Sequence, residues 1–188
     1  YIWFPSSAKK ENRTKIWELS SRWFPHCLPR ETDVELWNRL TWEECGKLDV
    51  TQLAVFIQKR GTLQQLQETL PNNNAHAWLN NFYELIKCEE RHYDSLINNY
   101  ELFPNQNGTL CKKELLYLDK GDIDEKLKDI LKLLGSDIRS ELLDPSIMVD
   151  FHASATLDLE YAVREINSEV HQKTVDRELA KDYTEAFR

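Results

Sequence analysis

The densest run of chemically capable side chains is Cys88-Glu89-Glu90-Arg91-His92-Tyr93-Asp94. On one helix, Cys88 and His92 stand at i and i+4, share a face, and offer a sulfur and an imidazole to zinc. Two ligands do not make a site. Completion requires His26, Cys27, Cys45 or Cys111 to converge on the pair. A core-facing cysteine beside a surface histidine is the preferred reading, with no metal and no cofactor assigned. Hydrolytic signatures are missing: the sequence holds neither Gly-x-Ser-x-Gly nor His-Glu-x-x-His. Its five glycines, at 46, 61, 108, 121 and 135, are all more than ten residues apart. That spacing excludes glycine-rich phosphate loops of both dinucleotide and P-loop type. Acidic pairs such as Glu43-Glu44 and Glu89-Glu90 are too common here to inform and read as solvated. No catalytic residue is assigned.

Two features point to recognition instead. The polar stretch Asn105-Gln106-Asn107-Gly108 lies between apolar runs, and Asn107-Gly108 suits the positive φ values of a hairpin turn. Building a tight reversal is the favoured role, ahead of direct ligand contact. On that reading Gly108→Val is costly and Gln106→Ala is nearly neutral. Five of six tryptophans (Trp3, Trp17, Trp23, Trp37, Trp42) fall within the first 42 residues. Rigid indoles line peptide grooves, but large aromatic rings also fill small cores, and the core reading is favoured. The candidate interaction residues are Asn105, Gln106, Asn107, Gly108, Trp37 and Trp42.

These side chains need elements to hold them. Ile16, Leu19 and Trp23 fall at helical spacing ahead of Pro25. Thr32-x-x-Glu35 and Asp49-x-x-Gln52 are capping boxes that open helices carrying Val34, Trp37 and Leu40, then Leu53, Phe56 and Ile57. Leu63, Leu66 and Leu70 mark a short helix ended by Pro71. Trp78, Leu79, Phe82, Leu85 and Ile86 give the best apolar stripe in the chain, with Asn74 as its cap. Leu102–Leu110 reads as strand, turn, strand. Ile123, Leu127, Ile130, Leu131 and Leu134 form a second stripe stopped by Gly135. Shorter helices follow around Ile138–Leu143 and Leu157–Val170, and Thr174–Arg188 is helix-compatible but polar. A short strand is expected at the opening Tyr1–Pro5.

The expected fold class is mostly α (α+β): a helical, bundle-like domain with one small β-hairpin element near 100–118. Residues 1–98 form a Trp-rich helical region and 99–188 a hairpin followed by helices, together one compact unit. The chain has 188 residues, a net charge of -8 and 41% hydrophobic residues. Disordered and collagen-like classes are excluded by that composition. Charge drifts along the chain, from +2 over residues 1–60 to -7 over residues 121–188. Direct nucleic-acid contact is therefore disfavoured, although Lys9, Lys10, Arg13 and Lys15 supply a local patch. No apolar run approaches the ~20 residues that span a bilayer. Four scattered cysteines without a Cys-x-x-Cys pair fit free thiols in a cytoplasmic protein better than a disulfide scaffold. The absence of an initiating Met and of a signal peptide suits a fragment of a longer protein.

Phe103-Pro104-Asn105-Gln106-Asn107-Gly108, the run Glu114–Asp119, then Ile123-Asp124-Glu125-x-Leu127-Lys128-Asp129-Ile130 and Leu134-Gly135-x-Asp137-Ile138-Arg139-x-x-Leu142-Leu143-Asp144 form a composite pattern. It resembles a segment of large sacsin-like proteins, whose N-termini carry a heat-shock-chaperone-type (GHKL) ATPase module. The resemblance runs from Leu102 to Asp144 and implies a place downstream of such a module. It transfers no nucleotide site, because that site needs a Gly-x-Gly turn that this chain lacks.

The expectation is a non-catalytic interaction or docking domain of a large cytosolic sacsin-like ATPase, chaperone-like in setting. Its partners would be other domains of the same chain or a client protein, with no membrane and no small-molecule substrate. The alternatives are an enzyme or zinc-dependent module centred on Cys88 and His92, and a sensor region of a bacterial defence-type ATPase.

Overall fold

The computed structural model describes residues 3–34, 46–70, 74–148 and 156–172. Among them are seven α-helices and three two-stranded β pairs, so the chain is mostly α with small sheets. Helix α1 spans Lys10–Ser20 and buries Ile16 and Leu19. It stops before Trp23, which the sequence placed within it. Helix α2, Val50–Gln58, starts with the capping box expected at Asp49: its carboxylate accepts from the N–H groups of Thr51 and Gln52, and Gln52 Oε1 accepts from the Asp49 N–H. Helix α3, Leu63–Glu68, is capped by Thr62. Helix α4, Ala75–Cys88, is capped by Asn74 and buries Leu79, Phe82, Tyr83, Leu85 and Ile86. Helix α5 is Glu90–Asn99 and α6 is Glu125–Leu134. Gly135 ends α6 at φ 99, a left-handed stop that a β-carbon would strain. Helix α7 is Leu159–Gln172. Expectations for Glu35, Trp37, Leu40, Trp42, Cys45, Pro71 and Thr174–Arg188 fall outside the described residues.

The opening strand and the hairpin are both present, and the β content exceeds these two expected elements. Strand β1 (Trp3–Pro5) pairs in parallel with β2 (Gly46–Leu48), and β3 (Phe103–Pro104) pairs antiparallel with β4 (Leu110–Cys111). Strand β5 (Leu118–Asp119) pairs in parallel with β6 (Thr156–Leu157). Parallel partners are joined by long crossovers rather than a turn, so they leave no local signal in the sequence.

Two apolar clusters form the core. The larger gathers α1, α2, α4 and the hairpin, including Ile16, Leu53, Phe82, Phe103 and Leu143, and so draws on both sides of position 98. The smaller comprises Ile123, Leu131, Ile138, Leu142, Leu157 and Ala162. Trp3, Trp23 and Trp78 pack against the larger cluster half-buried. That places these three indoles at the core margin, where burying their large faces stabilises the fold. Among the described residues, no helix is long and apolar enough to cross a membrane.

Candidate functional site

The hairpin turn sits where the two clusters meet. Backbone pairing sets it: Asn105 N–H donates to Thr109 O at 2.9 Å and Gly108 N–H to Asn105 O at 2.8 Å. Asn105 itself is only 3% exposed. Its Oδ1 accepts from the N–H groups of Asn107 (3.0 Å) and Thr109 (2.9 Å), closing the loop from inside. Its Nδ2 donates to Ser140 O at 2.9 Å, across to the segment after α6. Further backbone bonds run from Gln106 N–H to Leu142 O and from Asp144 N–H to Pro104 O. On the opposite side, Leu63 N–H donates to Gly108 O and Leu110 N–H to Gly61 O. Tyr83 on α4 donates from its hydroxyl to Leu102 O at 2.7 Å and stacks on Phe103. Burial, with the Asp144 charge adding to it, raises the Tyr83 hydroxyl well above its ordinary range. It therefore stays protonated and serves as a donor.

Beside the turn lies an ionic cluster. Lys128 of α6 is 3% exposed and donates from Nζ to Asp119 Oδ2 (2.7 Å), Glu125 Oε1 (2.7 Å) and Gln106 Oε1 (3.1 Å). Gln106 Nε2 returns a bond to Asp119 Oδ2 at 3.1 Å. Arg139 extends the cluster through Glu125 Oε2 and Asp129 Oδ1, both at 2.7 Å. Asn107 Nδ2 reaches Asp137 Oδ2 at 3.1 Å, and Lys132 pairs with the same carboxylate. Burial pushes the Asp119 carboxyl up, but hydrogen bonds from Lys128, the Gly121 N–H and Gln106 outweigh it, and the net shift is down. Burial likewise disfavours the Lys128 ammonium, yet its bonds to Asp119 and Glu125 carry the net shift upward. Both groups are held charged. This is an ion pair whose valences are filled from within the chain, not a poised acid and base.

Asn105, Gln106, Asn107 and Gly108 are thus brought together, as expected, but three of their side chains are spent on internal bonds. The expectation for Gln106 is corrected: it is not a bland turn residue but the link between Lys128 and Asp119. Gly108→Val is expected to cost ~1–3 kcal/mol, because Gly108 sits at φ 78 where β-branched residues are strained. An added β-carbon there meets only Leu63 Cβ at 3.8 Å, so the cost is conformational rather than steric. Gln106→Ala is expected to cost ~1–2 kcal/mol, the loss of two bonds to charged groups. Urea denaturation of both variants checks this, and a silent Gln106→Ala contradicts the geometry.

The Cys88 and His92 pairing loses its premise. Helix α4 ends at Cys88, Glu89 takes φ -98 and ψ 59, and α5 begins at Glu90, so no continuous helix places the two at i and i+4. Glu89 is instead a fastening point: its Oε1 accepts from Asn12 Nδ2 at 2.7 Å and from the Ser7 hydroxyl. Burial, with Glu101 nearby, pushes the Cys111 thiol up, away from the thiolate that zinc needs. Among the described residues, no three His, Cys, Asp or Glu side chains gather in a metal-holding arrangement.

One open recess was not anticipated. It lies between α1 and α4, has a volume of about 310 Å³, and is lined by Glu18, Leu19, Arg22, Leu70, Asn74, Ala77, Trp78 and Asn81. Trp78 is fixed there: its indole N–H donates to Leu19 O at 3.1 Å, and its ring lies 4.6 Å from Trp23 and stacks parallel on Phe82. The residues come from two helices and the end of a third segment, so no spacing rule in the sequence collects them. Nor does one reveal Lys128, a lysine at the edge of an apolar stripe that ordinarily reads as solvated. No protein family, curated protein or solved structure matches this chain.

Proposed function

We propose that this chain is a non-catalytic interaction domain of a large cytosolic sacsin-like ATPase, docking other domains of that protein or a client. The carrying observation is how the titratable groups meet. Lys128, Asp119, Glu125 and Arg139 assemble as mutually satisfied pairs around the turn, each partner holding the other in its charged form. Catalytic groups are tuned the other way, toward exchange of a proton near the working pH. Among the described residues, the recess between α1 and α4 is aromatic and apolar within and polar at its rim, the anatomy of a protein contact. The residue pattern from Leu102 to Asp144 supports the sacsin-like setting. Within it, the turn is the joint of the domain and not its contact face.

Chemical cross-linking of the intact parent protein, read by mass spectrometry, tests this reading. Lys10 and Lys15, exposed on α1, are expected to link to peptides outside the 188 residues. The isolated chain is expected to give no heat beyond dilution when titrated with Mg-ATP. Links confined to the chain itself, or turnover of a nucleotide by it, would overturn the proposal.

A further inference from the structure

We propose that Asn107 is a site of spontaneous covalent modification, losing its side-chain amide through a cyclic imide with Gly108, and that the joint between the two apolar clusters restrains this reaction. Asn107 is the only asparagine of the chain that is followed by glycine. Glycine has no β-carbon, so its nitrogen can come close to the side-chain carbonyl carbon of the residue before it. In the reaction, a hydroxide ion takes the Gly108 N–H proton and the nitrogen attacks Asn107 Cγ. A Cγ–N bond forms, the Cγ–Nδ2 bond breaks, and the amide leaves as ammonia with a proton from water. Water then adds to either carbonyl of the imide. Opening on one side gives aspartate. Opening on the other gives isoaspartate, in which the main chain runs through the side-chain carbons. The balance is one water consumed and one ammonia released, with no oxidant or reductant.

Placement exposes the site, and hydrogen bonds restrain it. Asn107 is exposed in the turn, where water and hydroxide reach it. Both reacting groups are nevertheless engaged. The Gly108 N–H donates to Asn105 O at 2.8 Å, so the proton that must leave is held. Asn107 Nδ2 donates to Asp137 Oδ2 at 3.1 Å, which keeps the side chain from swinging onto the Gly108 nitrogen. Lys132 holds that carboxylate in turn at 3.0 Å. Reaction therefore waits on local opening of the turn, and its rate reads how often that happens.

The two products differ in consequence. Aspartate loses the donor to Asp137 and sets a second carboxylate against it. Isoaspartate does more, because it adds an atom to the main chain between positions 107 and 108. Asn105 Oδ1 accepts from the N–H groups of Asn107 at 3.0 Å and of Thr109 at 2.9 Å, one on each side of the insertion. A longer chain does not keep both, and the buried Asn105 loses a partner. The bonds from Gln106 N–H to Leu142 O and from Asp144 N–H to Pro104 O loosen with it.

The test is to incubate the full chain at mildly alkaline pH beside the same chain unfolded in guanidinium chloride, and to map both by peptide mass spectrometry with electron-transfer fragmentation. The unfolded chain is expected to modify Asn107 ahead of its other asparagines, and the native chain to do so at least about tenfold more slowly. Asp137→Ala frees the side chain and Asn105→Ala opens the turn. Each is expected to raise the native rate by about threefold or more and to leave the unfolded rate unchanged. Should both prove unfolded by circular dichroism, the comparison of native and unfolded wild type carries the test. In isoaspartate-bearing chain, amide exchange at Gln106 and Asp144 is expected to be faster than in the unmodified protein. An unfolded chain that spares Asn107 overturns the site, and equal native and unfolded rates overturn the restraint. Folded variants that keep the wild-type rate overturn the restraint as well. Unchanged exchange at Gln106 and Asp144 overturns the effect on the joint.

Discussion

Lys128→Met is expected to destabilise the fold by ~3 kcal/mol at neutral pH, measured as the shift in free energy of urea unfolding. The side chain is 3% exposed and Asp119, its shortest partner, is 14% exposed. Removing the ammonium leaves that carboxylate in a site where burial already disfavours its charge. It also leaves Gln106 Oε1 without its donor. The Glu125 arm contributes little, since that side chain is 69% exposed and screened by water. Breaking a buried pair from one side costs more than the pair is worth. Accordingly the double variant Lys128→Met with Asp119→Asn should recover part of the loss. A single-variant cost below ~0.5 kcal/mol, the ordinary size for a surface change, would mean that Lys128 is solvated after all.

The pH dependence has a defined sign. Asp119 is held below its ordinary range, so its contribution is complete above the unfolded value of ~3.9 and is lost as pH falls through the folded value. Lys128 is held above its ordinary range, so its contribution is complete below ~10.4 and is lost as pH rises through the folded value. Between these limits the pair is at full strength. In Lys128→Met the strongest lowering partner is gone, the Gly121 and Gln106 bonds and the burial remain, and protonating Asp119 should partly relieve the variant. The stability gap between wild type and variant is expected to narrow as pH drops below ~4. A gap that stays constant to pH ~2 would place the loss in packing alone.

The elements that the sequence revealed are those with local causes. Asp49 and Gln52 close a capping box within four residues, and Asn74 and Gly135 punctuate their helices through their own side chain or lack of one. The hairpin was legible for the same reason: Gly108 carries its requirement for positive φ in its type. What stayed hidden depends on distant partners. Strand β1 was expected, but its pairing with Gly46–Leu48, like that of β6 with Leu118–Asp119, was not, because neither partner announces itself. Gln106 looked free because a turn glutamine usually is, and its bonds to Asp119 and Lys128 span 13 and 22 positions. The split between Cys88 and His92 was concealed by residues all compatible with one long helix. Glu89 breaks it to receive Asn12 from the chain's beginning. The recess is the extreme case, since it is a space between residues 18–22, 70 and 74–81.

Asn105→Ala is expected to be the most damaging change in the turn, at ~3 kcal/mol, against less than ~0.5 kcal/mol for Asn107→Ala two positions on. The contrast separates a recognition loop from a structural joint. Asn107 is exposed and makes one side-chain bond, to Asp137. Asn105 is buried and makes three to main-chain groups: it accepts from the N–H of Asn107 and of Thr109 and donates to Ser140 O. Truncation to alanine strips each of these groups of a partner in one step. An unsatisfied buried polar group costs ~1–3 kcal/mol, and partial access of water to the exposed positions 107 and 109 keeps the sum near the upper figure for one group rather than three. Asn105→Asp divides the effect. Its carboxylate can still accept from both turn N–H groups, but it cannot donate to Ser140 O and brings a charge against that carbonyl. The turn should survive while the contact to the segment after α6 loosens. Amide hydrogen exchange reads the difference: Asn105→Asp is expected to speed exchange at Leu142 and across α6 and to leave the Thr109 and Leu110 amides protected. Equal loss of protection on both sides would show the turn and its neighbour to be one cooperative unit. Unchanged stability in Asn105→Ala would remove the joint from the hairpin altogether.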